Sequence, residues 1–465
     1  MENKGTIMTR HLRLSVALGA LLALQAIAPR AQAAIPSVAR HDLLVLRAGA
    51  WPVGSLATLS VGTGQATHAL PLGLFSRDGH TLYVAAPQPD GAHSLVQAID
   101  AASGRTLRSL TVAGNYTTQA GNYTPATFYG TGTTATLPGN RSGQTGLILD
   151  GHPSARLAGG GYPVDTSETL TALSFNGRWL ALRDATPGAR DTRALVIDTA
   201  TLRVAATVRL AGHFGLDAID AGGSALYLIE PLAQRGPHAY QVRLYDVRHG
   251  RLDKDPLREP GEREDIIRGT SYTRVWSPRG DWLFTLYVQP GHSGAFVHAL
   301  GVADRRVHCI MLPDDHAAAA DLAHYMLAVA PDGTSLYLVN PVLGRAITVH
   351  DLPVGMAAEV RLATRAGAPH QTLTGAVVSP DGRTLFAATS QGVWVLPTRA
   401  LGVRATDLAG RAVASIAPSP DGQRLYALEP ERGLVAVIDP ATGHVSGTMR
   451  ADAGTWAIER VMRAR

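Results

Sequence analysis

The chain has 465 residues, 45% apolar and 17% charged, a balance that supports a packed interior and excludes a disordered chain. That length exceeds what one compact core serves, so the core must be divided among domains or among repeats. The formal charge of +5 rests partly on basic residues near the N-terminus, and with only Lys4 and Lys254 as lysines and no basic stripe, nucleic acid is not the expected partner.

Residues 1–33 read as a secretory signal. Lys4, Arg10 and Arg13 precede an apolar run from Leu14 to Ala28, and Ala31-Gln32-Ala33 offers a small-residue cleavage site. The run is short of the roughly 20 residues that a spanning helix needs. The expectation is a mature chain from Ala34 with a net charge of +2, exported to the periplasm or beyond and without a transmembrane segment. No Cys follows the cleavage site to carry a lipid, and Cys309, the single cysteine, excludes an internal disulfide, a Cys-x-x-Cys zinc site and a c-type haem attachment.

Past the signal, residues 43–46 and 56–61 read as the outer two strands of a sheet. From residue 76 onward one turn recurs seven times, Ser-Pro-Asp-Gly or a variant, followed three residues later by Leu and then usually an aromatic. The copies start at Ser76, Ser174, Asp220, Ser277, Ala330, Ser379 and Ser419, and their Gly and Leu never vary. Pro presets φ, Asp or Asn bonds the neighbouring backbone, and Gly takes the left-handed conformation that closes a short hairpin. Runs such as Leu336-Tyr337-Leu338-Val339 leave each turn as strands. A third strand ends in pairs such as Ile99-Asp100, Ile197-Asp198 and Ile438-Asp439, and a fourth follows turns such as Ala441-Thr442-Gly443.

Four-stranded units of this kind cannot cover both faces alone, so they must stack. The fold class is all-β, a β-propeller of seven motif-bearing blades spanning residues 34–465, or eight if Trp456 to Met462 joins the N-terminal strands in a closing blade. Copies such as Ser379-Pro-Asp-Gly-Arg-Thr-Leu-Phe, and Ser419-Pro-Asp-Gly-Gln-Arg-Leu-Tyr with Val435-Ala-Val-Ile-Asp, resemble bacterial YVTN-type β-propeller proteins over about residues 70–450. The resemblance implies fold rather than function, because that family includes surface proteins, lactone hydrolases and cofactor-carrying propellers.

In such units the blade-to-blade and second-to-third connections share one side of the disc. The large additions, at 113–170, 250–272 and 312–325, all fall there and mark it as a binding face. The first carries Tyr116, Tyr123 and Tyr129 among Gly, Asn and Thr, aromatics suited to stacking on a sugar or clamping a peptide; the alternatives are a degenerate blade or tyrosines packed down on the propeller. The second mixes Arg with Asp and Glu as a solvated loop does. The third reads as a short helix capped by Asp314 or Asp315, with His316 and His324 close to one face.

His292, His298, His308, His316 and His324 have no recognised metal-ligand spacing, and all but His298 are expected on loops. Gly291-His292-Ser293-Gly294-Ala295 misses the nucleophile-elbow pattern at Ala295, and no stretch provides the α/β hydrolase domain it would need. Gly130-Thr131-Gly132-Thr133-Thr134-Ala135 lacks the flanking strand and helix of a dinucleotide site, and the tryptophans do not recur in a quinone-cofactor register.

The expected function is therefore a non-catalytic, exported binding module that engages a protein, peptide or glycan, with Tyr116, Tyr123, Tyr129, His292, His316 and His324 as ligand-contact candidates and no cofactor. The competing expectation is a lactonase-type hydrolase with a divalent metal held by Asp184, Glu230 and Glu429. A structural cell-surface protein is the third.

Overall fold

The computed structural model describes residues 41–48, 55–118, 134–135, 146–147, 169–236, 238–261, 266–289, 294–313, 317–353, 355, 357–367 and 375–463. The segment 1–33, read above as a secretory signal, lies outside them. Among the described residues eight sheets, each with four antiparallel strands in order, form a propeller, and the third blade carries a fifth short strand, Ile267–Arg268, beside Ala239–Asp246. Blades 1 to 7 open with inner strands Leu74–Phe75, Thr171–Leu173, Gly215–Ile219, Thr270–Trp276, Met326–Val329, Ala376–Val378 and Ser415–Pro418. Blade 8 takes its inner strand, Thr455–Arg463, from the C-terminal end and its other three, Asp42–Ala48, Ser55–Ser60 and Gln65–Leu70, from the N-terminal end.

That arrangement explains why the turn motif occurs seven times. It is the hairpin between a blade's first and second strands, and in blade 8 those strands come from opposite ends of the chain. It also corrects the reading of residues 43–46 and 56–61, which are the middle strands of the closing blade rather than its outer pair. The outermost strand, Gln65–Leu70, is exposed along nearly its whole length and so lacks the apolar alternation that reveals its neighbours.

The turns close as their chemistry dictates. All seven motif glycines have φ between +67° and +79°. In blade 6 the Ser379 hydroxyl donates to Asp381 at 2.6 Å and accepts the Thr384 N–H at 2.9 Å, while Asp381 also accepts the Arg383 N–H. Blades 1, 2 and 7 repeat these bonds from Ser76, Ser174 and Ser419. Where blade 3 replaces Ser by Asp220, that carboxylate accepts the Ser224 and Ala225 N–H groups itself. Every motif leucine is buried, from Leu82 to Leu425.

The core lies between blades. Because side chains alternate along a strand, Leu44 and Leu46 pack toward blade 7 while Leu43 and Val45 pack toward blade 1. Each of the eight interfaces carries one such apolar cluster. Blades 1 and 2 pack directly on each other through Leu74, Val96, Leu180 and Ile197, so no further blade stands between them in the ring.

Candidate functional site

The connections separate by face as expected. Short hairpin turns occupy one side, and the long connections 114–170, 253–269, 312–325 and, as a fourth, 362–375 leave and rejoin the strands on the other. Tyr123, Tyr129, His292 and His316 fall outside the described residues. Tyr116 is buried in the cluster between blades 1 and 2, its backbone bridged to Asp184, in the packed-down arrangement. The third addition forms a helix only over Ala319–Leu322, with Ala318 at its N-cap and no capping side chain, so neither Asp314 nor Asp315 caps it. His324 lies beyond that helix and is 6% exposed, and burial pushes its imidazole down to about 4.

The remaining candidates have local partners. Asp184 accepts the Thr186 N–H and hydroxyl and lies 4.0 Å from Arg193. Glu230 pairs with Arg243 at 2.5 Å, and Glu429 with Arg432 at 2.7 Å. All three stand on the long-connection side, but on blades 2, 3 and 7 they do not converge, and among the described residues no three His, Cys, Asp or Glu side chains gather as metal ligands. His308, expected on a loop, sits in strand Arg306–Met311 with its ring 3.5 Å from Glu259, and His298 is buried, held down to about 3 chiefly by that burial. The second addition is less solvated than its charges imply: Leu257 and Ile267 pack against the core between blades 3 and 4.

Sequence reasoning missed the central channel at the turn-bearing end. A cavity of about 240 Å³ opens there between the inner strands of blades 8, 1, 2, 3 and 4. Asp217 and Arg274 form a buried pair at 2.5 Å across blades 3 and 4, and Glu459 pairs at 3.0 Å with Arg47 inside blade 8. Burial raises the Asp217 carboxyl and lowers the Arg274 guanidinium, and their contact opposes both shifts. Above them lie Phe175 and Trp276, ring centroids 5.6 Å apart, with the Arg77 guanidinium 4.2 Å over Phe175. Arg77 donates to the Pro278 carbonyl on blade 4, and Arg460 donates to the Arg77 carbonyl.

These features define an eight-bladed β-propeller with a charged, aromatic-lined cavity at one end of its channel. Among solved structures, the chain is similar to apo AztD from Citrobacter koseri, at 11% identity over 90% of this chain and 97% of that one, TM-score 0.53. It is also similar to dihydro-heme d1 dehydrogenase NirN in complex with DHE, at 14% identity over 95% of this chain and 78% of that one, TM-score 0.51. Identities this low establish the fold alone. No family model matches the chain, and no curated protein does.

Proposed function

We propose that the protein is an exported, non-catalytic binding module whose long-connection face engages a protein, peptide or glycan. The supporting observation is the asymmetry of the disc: the ring carries four long connections on one side, whereas the other has seven tight turns, six of them held by the Ser or Asp that opens them. Presenting variable segments from a fixed scaffold is a binder's arrangement. The hydrolase alternative requires Asp184, Glu230 and Glu429 to serve a metal, and each is instead engaged where it stands.

The test compares residues 34–465 with a variant in which 119–168 are replaced by a short Gly-Ser linker, both checked for intact fold by circular dichroism. Saturable binding on a glycan and peptide array that the replacement abolishes is the expected result. Turnover of γ-butyrolactone or homoserine lactone, dependent on a divalent ion found by mass spectrometry in the purified protein, would overturn the reading.

A further inference from the structure

The repeat carries a signal at the second turn position. In blades 4 to 6 it is Pro278, Pro331 or Pro380, and each proline lies against the motif glycine of the following blade: Gly333, Gly382 and Gly422 respectively. Blade 7 also has Pro there, Pro420. Blades 1 to 3 depart from this in succession, with Arg77, Phe175 and Ala221. The first two of these turns border the cavity through Arg77 and Phe175. Phe175 passes over the small Ala221 turn to meet Gly280 of blade 4, and Arg77 crosses the mouth to the Pro278 carbonyl. A ring that repeats proline for inter-blade packing has lost it on consecutive blades, and two of the replacements are a cation and an aromatic aimed over the opening.

The charge balance at that opening is uneven. The cavity's two carboxylates are already matched, Asp217 by Arg274 and Glu459 by Arg47. Arg77 and Arg460 remain, bound to carbonyl oxygens and a ring face, with no described carboxylate within ion-pair distance of either. Neither guanidinium makes a direct ion pair, although Glu459 and Asp78 lie near enough to Arg460 to favour its charged form, and a carboxylate or phosphate accepts forked donors better than a carbonyl does. Burial pulls Arg460 down from its ordinary value, and the nearby Glu459 and Asp78 carboxylates partly offset that pull. Beside the two cations stand Phe175 and Trp276, a wall suited to a flat apolar group.

We propose that the turn-bearing end of the channel is a binding site for a small organic anion. Its carboxylate or phosphate is held between Arg77 and Arg460, and its flat apolar part packs against Phe175 and Trp276. Arg77, exposed on its turn, is the latch: it exchanges the Pro278 carbonyl for the anion and closes over it. The volume of about 240 Å³ corresponds to roughly eight waters, enough for one aromatic ring with an acid group and too little for a nucleotide or a peptide. The site lies on the opposite side of the disc from the long connections and does not depend on what binds them.

Trp276 supplies the readout. The full chain is titrated with benzoate, phenyl phosphate and inorganic phosphate, with benzyl alcohol as the uncharged control, following tryptophan fluorescence and confirming by calorimetry. Saturable binding of benzoate or phenyl phosphate is expected, whichever binds more tightly naming the head group. It should weaken about tenfold or more in Arg77→Gln and in Arg460→Gln, and weaken with added salt. Should Arg460→Gln fail to fold, Arg77→Gln decides, since its side chain is exposed. Anions binding no better than benzyl alcohol, inorganic phosphate binding as tightly as phenyl phosphate, or an Arg77→Gln variant with unchanged affinity would each overturn the proposal.

Discussion

His324 illustrates how residue type alone misleads. A histidine on a long connection reads as a ligand contact, yet this one is buried and kept neutral in the fold. The consequence is a pH dependence with a definite sign. Above about pH 6.5 the imidazole is neutral in both folded and unfolded chains and costs nothing. As pH falls from there toward about 4 the unfolded chain binds the proton first, so stability declines, by up to about 3 kcal/mol from this group. His324→Leu should remove that increment: urea midpoints at pH 7 and pH 4.5 should lie closer together in the variant than in the parent. An equal acid loss in both would show that His324 is not the group responsible. By contrast, Arg77 and Phe175 sit in turns whose outward role looked purely structural, and only their departure from proline distinguished them.

The hairpin turn governs the blade. Its Ser and Asp satisfy backbone N–H groups locally, and the aromatic that follows the motif leucine often ties the next blade: Tyr227 donates to the Val302 carbonyl at 2.9 Å, and Tyr426 to Asp42 at 2.5 Å. The motif glycine has two separable duties, left-handed backbone and inter-blade clearance. Gly382 (φ +71°) and Gly422 (φ +69°) share the first. They differ in the second: an added Cβ would lie 3.9 Å from Pro331 Cδ at Gly382 but 2.0 Å from Pro380 Cγ at Gly422. Gly382→Ala should therefore cost about 1–2 kcal/mol in urea unfolding, the backbone penalty alone. Gly422→Ala should lose about 2 kcal/mol more, as overpacking is added. Equal losses would mean that the contact between turns yields without cost.

Across the whole molecule, closure is the decisive feature. Strand Thr455–Arg463 pairs with Asp42–Ala48, and the buried Arg47–Glu459 ion pair joins positions 412 residues apart. Without that pairing blades 7 and 1 would each present an uncovered face and blade 8 an open edge, the condition that favours aggregation. Glu459→Gln weakens the junction by taking the charge from one partner of a buried pair, and about 3–5 kcal/mol of stability should go with it, read as a lowered urea midpoint and a shift toward oligomers in light scattering. A change below about 1 kcal/mol would mean that the strand ladder alone holds the ring.

The fold class, the four-stranded unit, the hairpin chemistry and the side on which the long connections gather were legible in the chain alone, because each depends on interactions among residues near one another: a Ser-Asp-Gly turn, a period of two, a loop length. The position of the closing strand, Trp456 to Met462, was legible in the same way. Three facts came from the three-dimensional arrangement: this strand completes an eighth blade, blade 1 packs directly on blade 2, and Arg77, Phe175, Asp217, Arg274, Glu459 and Arg460 share one cavity. Those residues come from five blades, and their convergence is set by the ring's geometry rather than by any local pattern.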